Sequence, residues 1–424
     1  MDSALQASDS ADSRRAAGVK PTPAKLVVFL IGNYVHDAQQ SMQRFAAVME
    51  KELKAAGCDV RLVRPEPFFG RLHPGATGIG KWLGYLDKFV VFPRQLKRLI
   101  RSARAEGKGD VVVHICDHSN AFYTHQLSGV PCLVTCHDLL AVRSALGEIP
   151  QNPTRWSGRR LQGMVLSGLT NAPIIACVSE ATHRDLCRLV PRAESRSRVL
   201  RMGLNNAFHQ VPSAEAESRV RELMKAAGRP VSTRPRCIVH VGGEQWYKNR
   251  PGVVELFCEL RRSSDQRDLW LMMVGKPLSA ELTDLVRAQD LQDRVVELPG
   301  LSHEDLCAVY SAAELFLFPS LMEGFGWPVI EAQACGCRVV TTDRPPMNDV
   351  GGDGAAFLVP EDIRASIDAM LNVLYEDEGQ RLARVGRGFA NVARYSTGQM
   401  IENYLLLYRD VVETQSRGAP ADRR

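Results

Sequence analysis

The stretch Pro319-Ser-Leu-Met-Glu-Gly-Phe-Gly-Trp-Pro-Val-Ile-Glu-Ala332 decides the fold of this chain. The run before it, Leu315-Phe-Leu-Phe318, has the length and composition of a buried strand. Glycines at 324 and 326 then make a turn, and Pro328 fits the first position of a helix. The turn presents the backbone N–H groups of Gly324, Phe325 and Gly326 at a helix N-terminus. Unpaired N–H groups and the helix dipole both favour an anion such as phosphate there. Glu323 and Glu331 flank the turn, and a carboxylate accepts two or more hydrogen bonds from a hydroxyl-rich group. A site for phosphate and sugar together is a nucleotide-sugar site. Alone, the segment also looks like an ordinary strand–turn–helix unit. Paired acids serve glycosidases too, but these two lie on one local turn.

Working outward, the same punctuation repeats. Lys25–Ile31, Cys58–Val63, Asp110–Ile115, Cys132–Cys136 and Ile174–Val178 are continuous apolar runs separated mostly by helical patterns. A helix from Ser41, its capping residue, to about Ala56 fills the first gap, and Gly57 ends it. Pro65 to Lys88 reads as a long loop carrying Phe68, Phe69, Trp82 and Tyr85, and long loops are often functional. Residues 205–235 read as a polar connection with a helix. The pattern then restarts at Cys237–Val241, Leu269–Val274, Arg294–Leu298, Leu315–Phe318, Arg338–Thr341 and Ala356–Val359. Helices are expected at about 251–262, 279–289, 303–313, 328–335, 362–374, 379–393 and 397–413. Runs buried on both faces and alternating with helices imply parallel sheets. The chain is α/β, with two similar domains facing a central cleft. Neither strand 25–31 nor 237–241 is followed by G-x-G-x-x-G, which argues against a dinucleotide dehydrogenase.

A length of 424 residues fits two domains. Residues 1–23 and 414–424 read as disordered tails, and 1–23 lacks the apolar core of a signal peptide. No run of about 18 apolar residues exists to span a membrane. The eleven cysteines are scattered without C-x-x-C and read as small buried hydrophobes in a reducing cytosol. Cys335-Gly-Cys337 is a poor zinc set, and no Asp-x-Asp pair is present to hold a metal, so none is expected. Thirteen Lys/Arg against five Asp/Glu fall in 51–108. Within it, Val91–Arg104 fits a basic amphipathic helix with Leu96, Leu99, Ile100 and Ala103 on one side. Such a helix serves an anionic membrane surface, or packs with a solvated basic face. No aromatic-interleaved basic motif points to nucleic acid.

Two more segments fall at carboxyl ends of strands, where open α/β sheets bind ligands. Val241-Gly-Gly-Glu-Gln-Trp-Tyr-Lys-Asn249 offers Gly242 and Gly243 for close backbone approach and Lys248 for a phosphate. Thr135-Cys-His-Asp-Leu139 puts His137 and Asp138 at the edge of the first sheet, across the cleft from Lys248. The plainer readings are a surface lysine, a structural histidine and a helix-capping aspartate.

With these residues in place, the chain resembles retaining glycosyltransferases of family 4, which have the two-Rossmann-domain GT-B fold. The resemblance covers about residues 25–410. It rests on Glu323-x7-Glu331 within the quoted stretch, Gly336, Leu298-Pro-Gly-Leu-Ser302 with Tyr310, the Lys248 loop, His137-Asp-Leu139 and Val178-Ser-Glu-Ala-Thr182. It implies an N-terminal acceptor domain over 24–205, a donor domain over 206–396, and a final helix, 397–413, crossing back onto the first domain. Glu323 would hold donor-sugar hydroxyls and Glu331 the ribose. Gly324, Phe325 and Gly326 would line sugar and phosphate, and Lys248 would bind the diphosphate. Backbone from Leu298 to Leu301 would meet the base. His137, with Asp138, would sit beside the reacting centre. The first loop, Gly32 to Gln40 and Ser41, lies on the acceptor side but lacks the Gly-Gly pair of many members. Many members carry an Arg before the lysine; here Glu244-Gln-Trp-Tyr stands there, and Arg250 is the candidate substitute.

The sequence therefore leads to a cytoplasmic enzyme, or one peripheral on the inner face of the membrane. It would transfer a sugar with retention from a nucleotide-diphosphate sugar to a glycan or lipid-linked acceptor, in cell-surface polysaccharide, lipopolysaccharide or glycolipid synthesis. It would use no metal or other cofactor. The alternatives are a nucleotide-sugar epimerase of the same fold and a non-catalytic nucleotide-sugar sensor.

Overall fold

The computed structural model describes residues 26–37, 39–70, 78–231 and 233–418. Residues 1–23, 419–424 and part of the 65–88 stretch (71–77) lie outside the described residues.

The first sheet is built from β1 (Leu26–Ile31), β2 (Asp59–Val63), β3 (Asp110–Ile115), β4 (Cys132–Cys136), β5 (Ile174–Cys177) and β6 (Ser197–Val199) in the order β2-β1-β3-β4-β5-β6. The second uses β7 (Cys237–Gly242), β8 (Trp270–Gly275), β9 (Val295–Pro299), β10 (Leu315–Phe318), β11 (Val339–Thr342) and β12 (Ala355–Leu358) in the order β12-β11-β10-β7-β8-β9. Every pairing is parallel. Parallel strands need helices on both faces, which is why these runs are apolar throughout: Val27 to Ile31 are fully buried. One core cluster lies under each lobe. A third runs through both lobes, from Phe45 and Met49 past Met202 to Phe318, Ile330, Tyr404 and Tyr408.

Strand order reverses at two places. In the first sheet β1 has β2 on one side and β3 on the other; in the second β7 lies between β8 and β10. Loops leaving the strands diverge at such a switch point, and the gap between them is where α/β sheets bind ligands. Gly32–Asp37 and Cys116–His118 flank the first gap. Gly243–Lys248 and Pro319–Gly326 flank the second.

Several boundaries differ from the sequence reading. The first helix is Gln40–Ala55 and the cap position is Gln39, so Ser41 lies in its first turn and makes no cap bond. Residues 65–88 are not one loop: Gly78–Leu86 is helical and passes through a π turn, Asp87–Val91, into the Phe92–Glu106 helix. Gly84 in this helix has a packing reason, since a Cβ there would lie 3.3 Å from the Tyr34 ring. The Phe92–Glu106 helix buries Phe92, Leu96, Ile100 and Ala103. Each such large apolar side chain contributes about 2 kcal/mol when buried, so this apolar side belongs to the core and the packing reading holds for it. The Trp327–Ala334 helix begins one residue before Pro328, behind Gly326 at φ 102°. The connecting helix is Ser213–Ala226. The last helix, Thr397–Gly418, runs past the expected tail start at 414. All eleven cysteines are free and nine are buried. Among the described residues no helix is long and apolar enough to cross a membrane.

Candidate functional site

At the second switch point two loops are stitched together. Asn249, left-handed at φ 52°, donates its side-chain amide to the Pro319 carbonyl at 3.1 Å. Leu321 N–H donates to the Tyr247 carbonyl at 2.8 Å. This closure brings Lys248 Nζ to 2.7 Å from Glu323 Oε1. Their side chains are only 15% and 8% exposed, so Lys248 is no solvated surface lysine. A charge this withdrawn from water persists because its partner is at hydrogen-bond distance. Gly242 ends β7 on the same edge, and Gly243 follows it. A Cβ at neighbouring Gly275 would meet the Gly242 carbonyl oxygen at 2.5 Å, so the strand ends pack as bare backbone. Arg250 is buried, and its guanidinium donates to the Lys276 and Pro277 carbonyls at 2.8 and 3.2 Å. It braces that loop. Leu298 is buried in β9, and Leu301 is half-buried beyond it.

Glu331 lies in the second turn of the following helix and is 6% exposed. Burial pushes its pKa up to about 7, against the lowering effect of the Asn205 amide, which donates to Oε1 at 3.0 Å, and of Arg44, Lys248 and His303. Neither Asn205 nor Arg44 was singled out in the sequence, where no local signal ties them to Glu331.

His137 and Asp138 follow β4. His137 is buried, which pulls its pKa down. Its Nε2 is 2.9 Å from the Cys116 carbonyl, so Nε2 carries the proton and Nδ1 is the acceptor. Phe45 packs edge-on against its ring at 4.8 Å. Asp138 Oδ1 accepts the Leu140 N–H at 3.0 Å, closing its own turn. Behind His137 lies a cluster that the sequence reading did not find. Asp117 accepts from the Asn33 amide at 2.6 Å and from the Ser119 N–H at 3.0 Å, and its carboxylate is 3.1 Å from His118 Nδ1. Burial alone would raise the Asp117 pKa; His118, His137 and Ser119 reverse this and hold it below the usual carboxylate range. Gly32 is buried at the end of β1, whereas Gln40 and Ser41 are exposed.

The lobes meet where the two sites face each other. A Cβ on Gly324 would fall 2.0 Å from the His137 carbonyl oxygen, so only glycine permits this approach. Ser179 Oγ donates to the Gly324 carbonyl at 2.7 Å, and Thr182 Oγ1 to the His137 carbonyl at 3.2 Å. Trp327 Nε1 donates to the Gly203 carbonyl at 3.1 Å, with its ring 6.3 Å from that of His137. Lys248, Glu323, the 324–326 turn and His137 therefore converge, while Glu331 closes one side and Arg250, Gln40 and Ser41 stand apart. Among the described residues no group of three His, Cys, Asp or Glu side chains is arranged to hold a metal ion.

Comparison with known proteins agrees with this architecture. Residues 42–208 match the model described as Glycosyltransferase Family 4, and 224–387 that of Glycosyl transferases group 1. Among curated relatives, a D-inositol 3-phosphate glycosyltransferase of Kineococcus radiotolerans is 27% identical over 70% of this chain and 69% of its own. The O-antigen chain mannosyltransferase B of Escherichia coli is 23% identical over 78% and 84%. Sucrose-phosphate synthase from Thermosynechococcus elongatus superimposes with a TM-score of 0.69 at 19% identity, covering 92% of this chain and all of that one, which shows the GT-B fold. Matched in each lobe in turn, the chain belongs to the group 1, family 4 glycosyltransferases.

Proposed function

We propose that this glycosyltransferase moves a sugar from a nucleotide-diphosphate sugar to an acceptor hydroxyl with retention of anomeric configuration. It would act in the cytoplasm or on the inner face of the membrane, in the synthesis of a cell-surface polysaccharide, lipopolysaccharide or glycolipid. The observation that carries the reading is the Lys248–Glu323 pair at 2.7 Å beside the Gly324–Gly326 turn. In this reading Glu323 accepts hydrogen bonds from donor-sugar hydroxyls and Glu331 from the ribose. Lys248 and the N–H groups of the turn meet the charge that grows on the departing diphosphate. The ion pair holds both side chains in place before the donor arrives.

The state of the nearby carboxylates bears on how retention would be achieved. Asp138 closes its own turn, Glu323 pairs with Lys248, and Glu331 is bonded to Asn205. None of the three stands free to form a covalent glycosyl intermediate. A same-face displacement fits: the bond from the anomeric carbon to the diphosphate oxygen breaks, and the acceptor oxygen bonds from that side while its proton passes to the leaving group. Contact of the lobes at Gly324 would exclude water. No metal enters the scheme, so chelator is expected to leave the rate unchanged. The names of the relatives, a D-inositol 3-phosphate glycosyltransferase and an O-antigen chain mannosyltransferase, support a pathway of this kind.

Thermal melts against a panel of nucleotide sugars test the donor site, since a bound donor raises Tm by mass action. One donor is expected to stabilise the protein, and Lys248→Ala to remove most of that shift. Product NMR then reads the anomer. A panel without effect, or an inverted product, would refute the proposal.

A further inference from the structure

Residues 78–106 form one continuous helical rod, from the Gly78–Leu86 helix through the Asp87–Val91 turn to the Phe92–Glu106 helix. Its inward side is taken up by the core. Its outward side is divided. The half nearest the cleft exposes Trp82 (59%), Leu86 (44%) and Val90 (42%) at four-residue spacing, which places them on one stripe. Phe68 (66%) and Val35 (46%) come to the same rim from the loops after β2 and β1. Hydrogen bonds and an ion pair hold them there. Asp87 accepts the N–H groups of Phe68, Phe69 and Gly70 at 3.1, 2.9 and 3.0 Å, and Lys88 pairs with Asp37 at 2.5 Å. The far half exposes Arg94, Lys97, Arg98, Arg101 and Arg104, and no acid lies between Asp87 and Glu106.

Clustered exposed apolar side chains mark an interaction site. Apolar residues beside an unbroken basic run suit the headgroup layer of an anionic bilayer. We infer that this rim is a membrane-docking face. Trp82, Leu86, Val90, Phe68 and Val35 enter the headgroup–acyl boundary, and the Arg94–Arg104 run lies against lipid phosphates. A second copy of the chain fits the face poorly, because two basic runs would oppose each other across a symmetric contact. The sequence left the Leu96–Ile100 side open between a bilayer and core packing; that side is buried, and the exposed apolar residues stand on the preceding helix and its adjoining loops. The rim borders the first-lobe side of the cleft, so a docked bilayer would present an acceptor carried on a lipid at the cleft mouth. That last step rests on the proposed glycosyl transfer; docking itself does not.

Co-sedimentation of the full chain with vesicles of phosphatidylcholine, with and without phosphatidylglycerol, tests the face. Wild type is expected to pellet with the anionic vesicles and to be released by high salt. Trp82→Ser with Leu86→Glu should lower partitioning at least ~tenfold, and Lys97→Glu or Arg101→Glu about fivefold on anionic vesicles alone. The residues are exposed, so unchanged Tm confirms that the variants fold, and Trp82→Ser alone serves if the pair does not. Wild type remaining in the supernatant, or variants pelleting like wild type, would overturn the inference. So would a dimer that the rim variants dissociate while vesicle binding is unchanged. Vesicle binding as expected, with no nucleotide sugar raising Tm, would instead refute the transfer reading and leave docking standing.

Discussion

The two lobes have similar sheets but build their walls of the cleft differently. The second lobe gathers Lys248, Glu323 and the 324–326 turn from two loops at one switch point, and most of that wall is a single contiguous stretch. The first lobe assembles its wall from segments far apart in the chain. Asn33 reaches Asp117, Tyr34 reaches Asp87, Asp37 reaches Lys88, and His137 reaches Cys116. A contiguous wall can be inherited as one unit, whereas a dispersed wall can change one loop at a time. The side proposed for the donor is of the first kind and the side proposed for the acceptor is of the second.

Glu323→Ala should break the second wall at its centre. Turnover is expected to fall about 10³-fold while the purified protein stays folded; normal turnover would remove Glu323 from the site. Glu331→Gln comes next, read through pH. Burial raises the folded pKa of Glu331 from an ordinary 4.5 to about 7. The folded protein therefore holds this proton more tightly than the unfolded chain. Wild type should lose about 3 kcal/mol relative to the glutamine variant as pH rises from below the unfolded pKa through about 7. Chemical denaturation of both proteins across this range measures it, and parallel curves would contradict the assignment.

Gly324→Ala tests the seam between the walls. Its methyl group cannot coexist with the His137 carbonyl at 2.0 Å, so the lobes must part. Turnover should drop about a hundredfold with donor-induced stabilisation largely kept. Full activity would mean that working enzyme does not make this contact. Asp87→Asn perturbs only the first wall. Its carboxylate holds three backbone N–H groups, and the amide should cost about 2 kcal/mol in stability. Donor-induced shifts in Tm should be unchanged; a change would show that the walls are not independent.

The sequence resolves the second wall for the same reason. Glycines, a proline and two acids lie in the thirteen residues after a strand, Pro319 to Glu331, so local rules reach all of them. The apolar strands are equally plain because both faces are buried. Short β6 gives little signal, with exposed Arg198 among only three residues. Gly78, Gly80 and Gly84 conceal a helix whose glycine at 84 answers to the Tyr34 ring, a contact across 50 residues of sequence. Arg250 reads as a cation for phosphate, yet carbonyls of the next loop hold it. Asn33, Asp117 and His118 are isolated polar residues until β1 and β3 are side by side.

The last helix carries a consequence for how such enzymes can be recombined. Thr397–Gly418 follows the second lobe in sequence but is fastened to the first: Tyr408 and Tyr404 share buried hydrogen bonds with His114 and Thr135 at 2.8 and 2.9 Å. The two crossings between lobes also touch, with Thr397 Oγ1 donating to the Leu204 carbonyl at 2.9 Å. A chimera that exchanges the sugar-nucleotide half must therefore be spliced twice, near 205 and near 396, with the native carboxyl-terminal segment returned to its own half. A single splice would leave the recipient half with a foreign helix against its sheet and two mismatched tyrosines where its histidine expects partners.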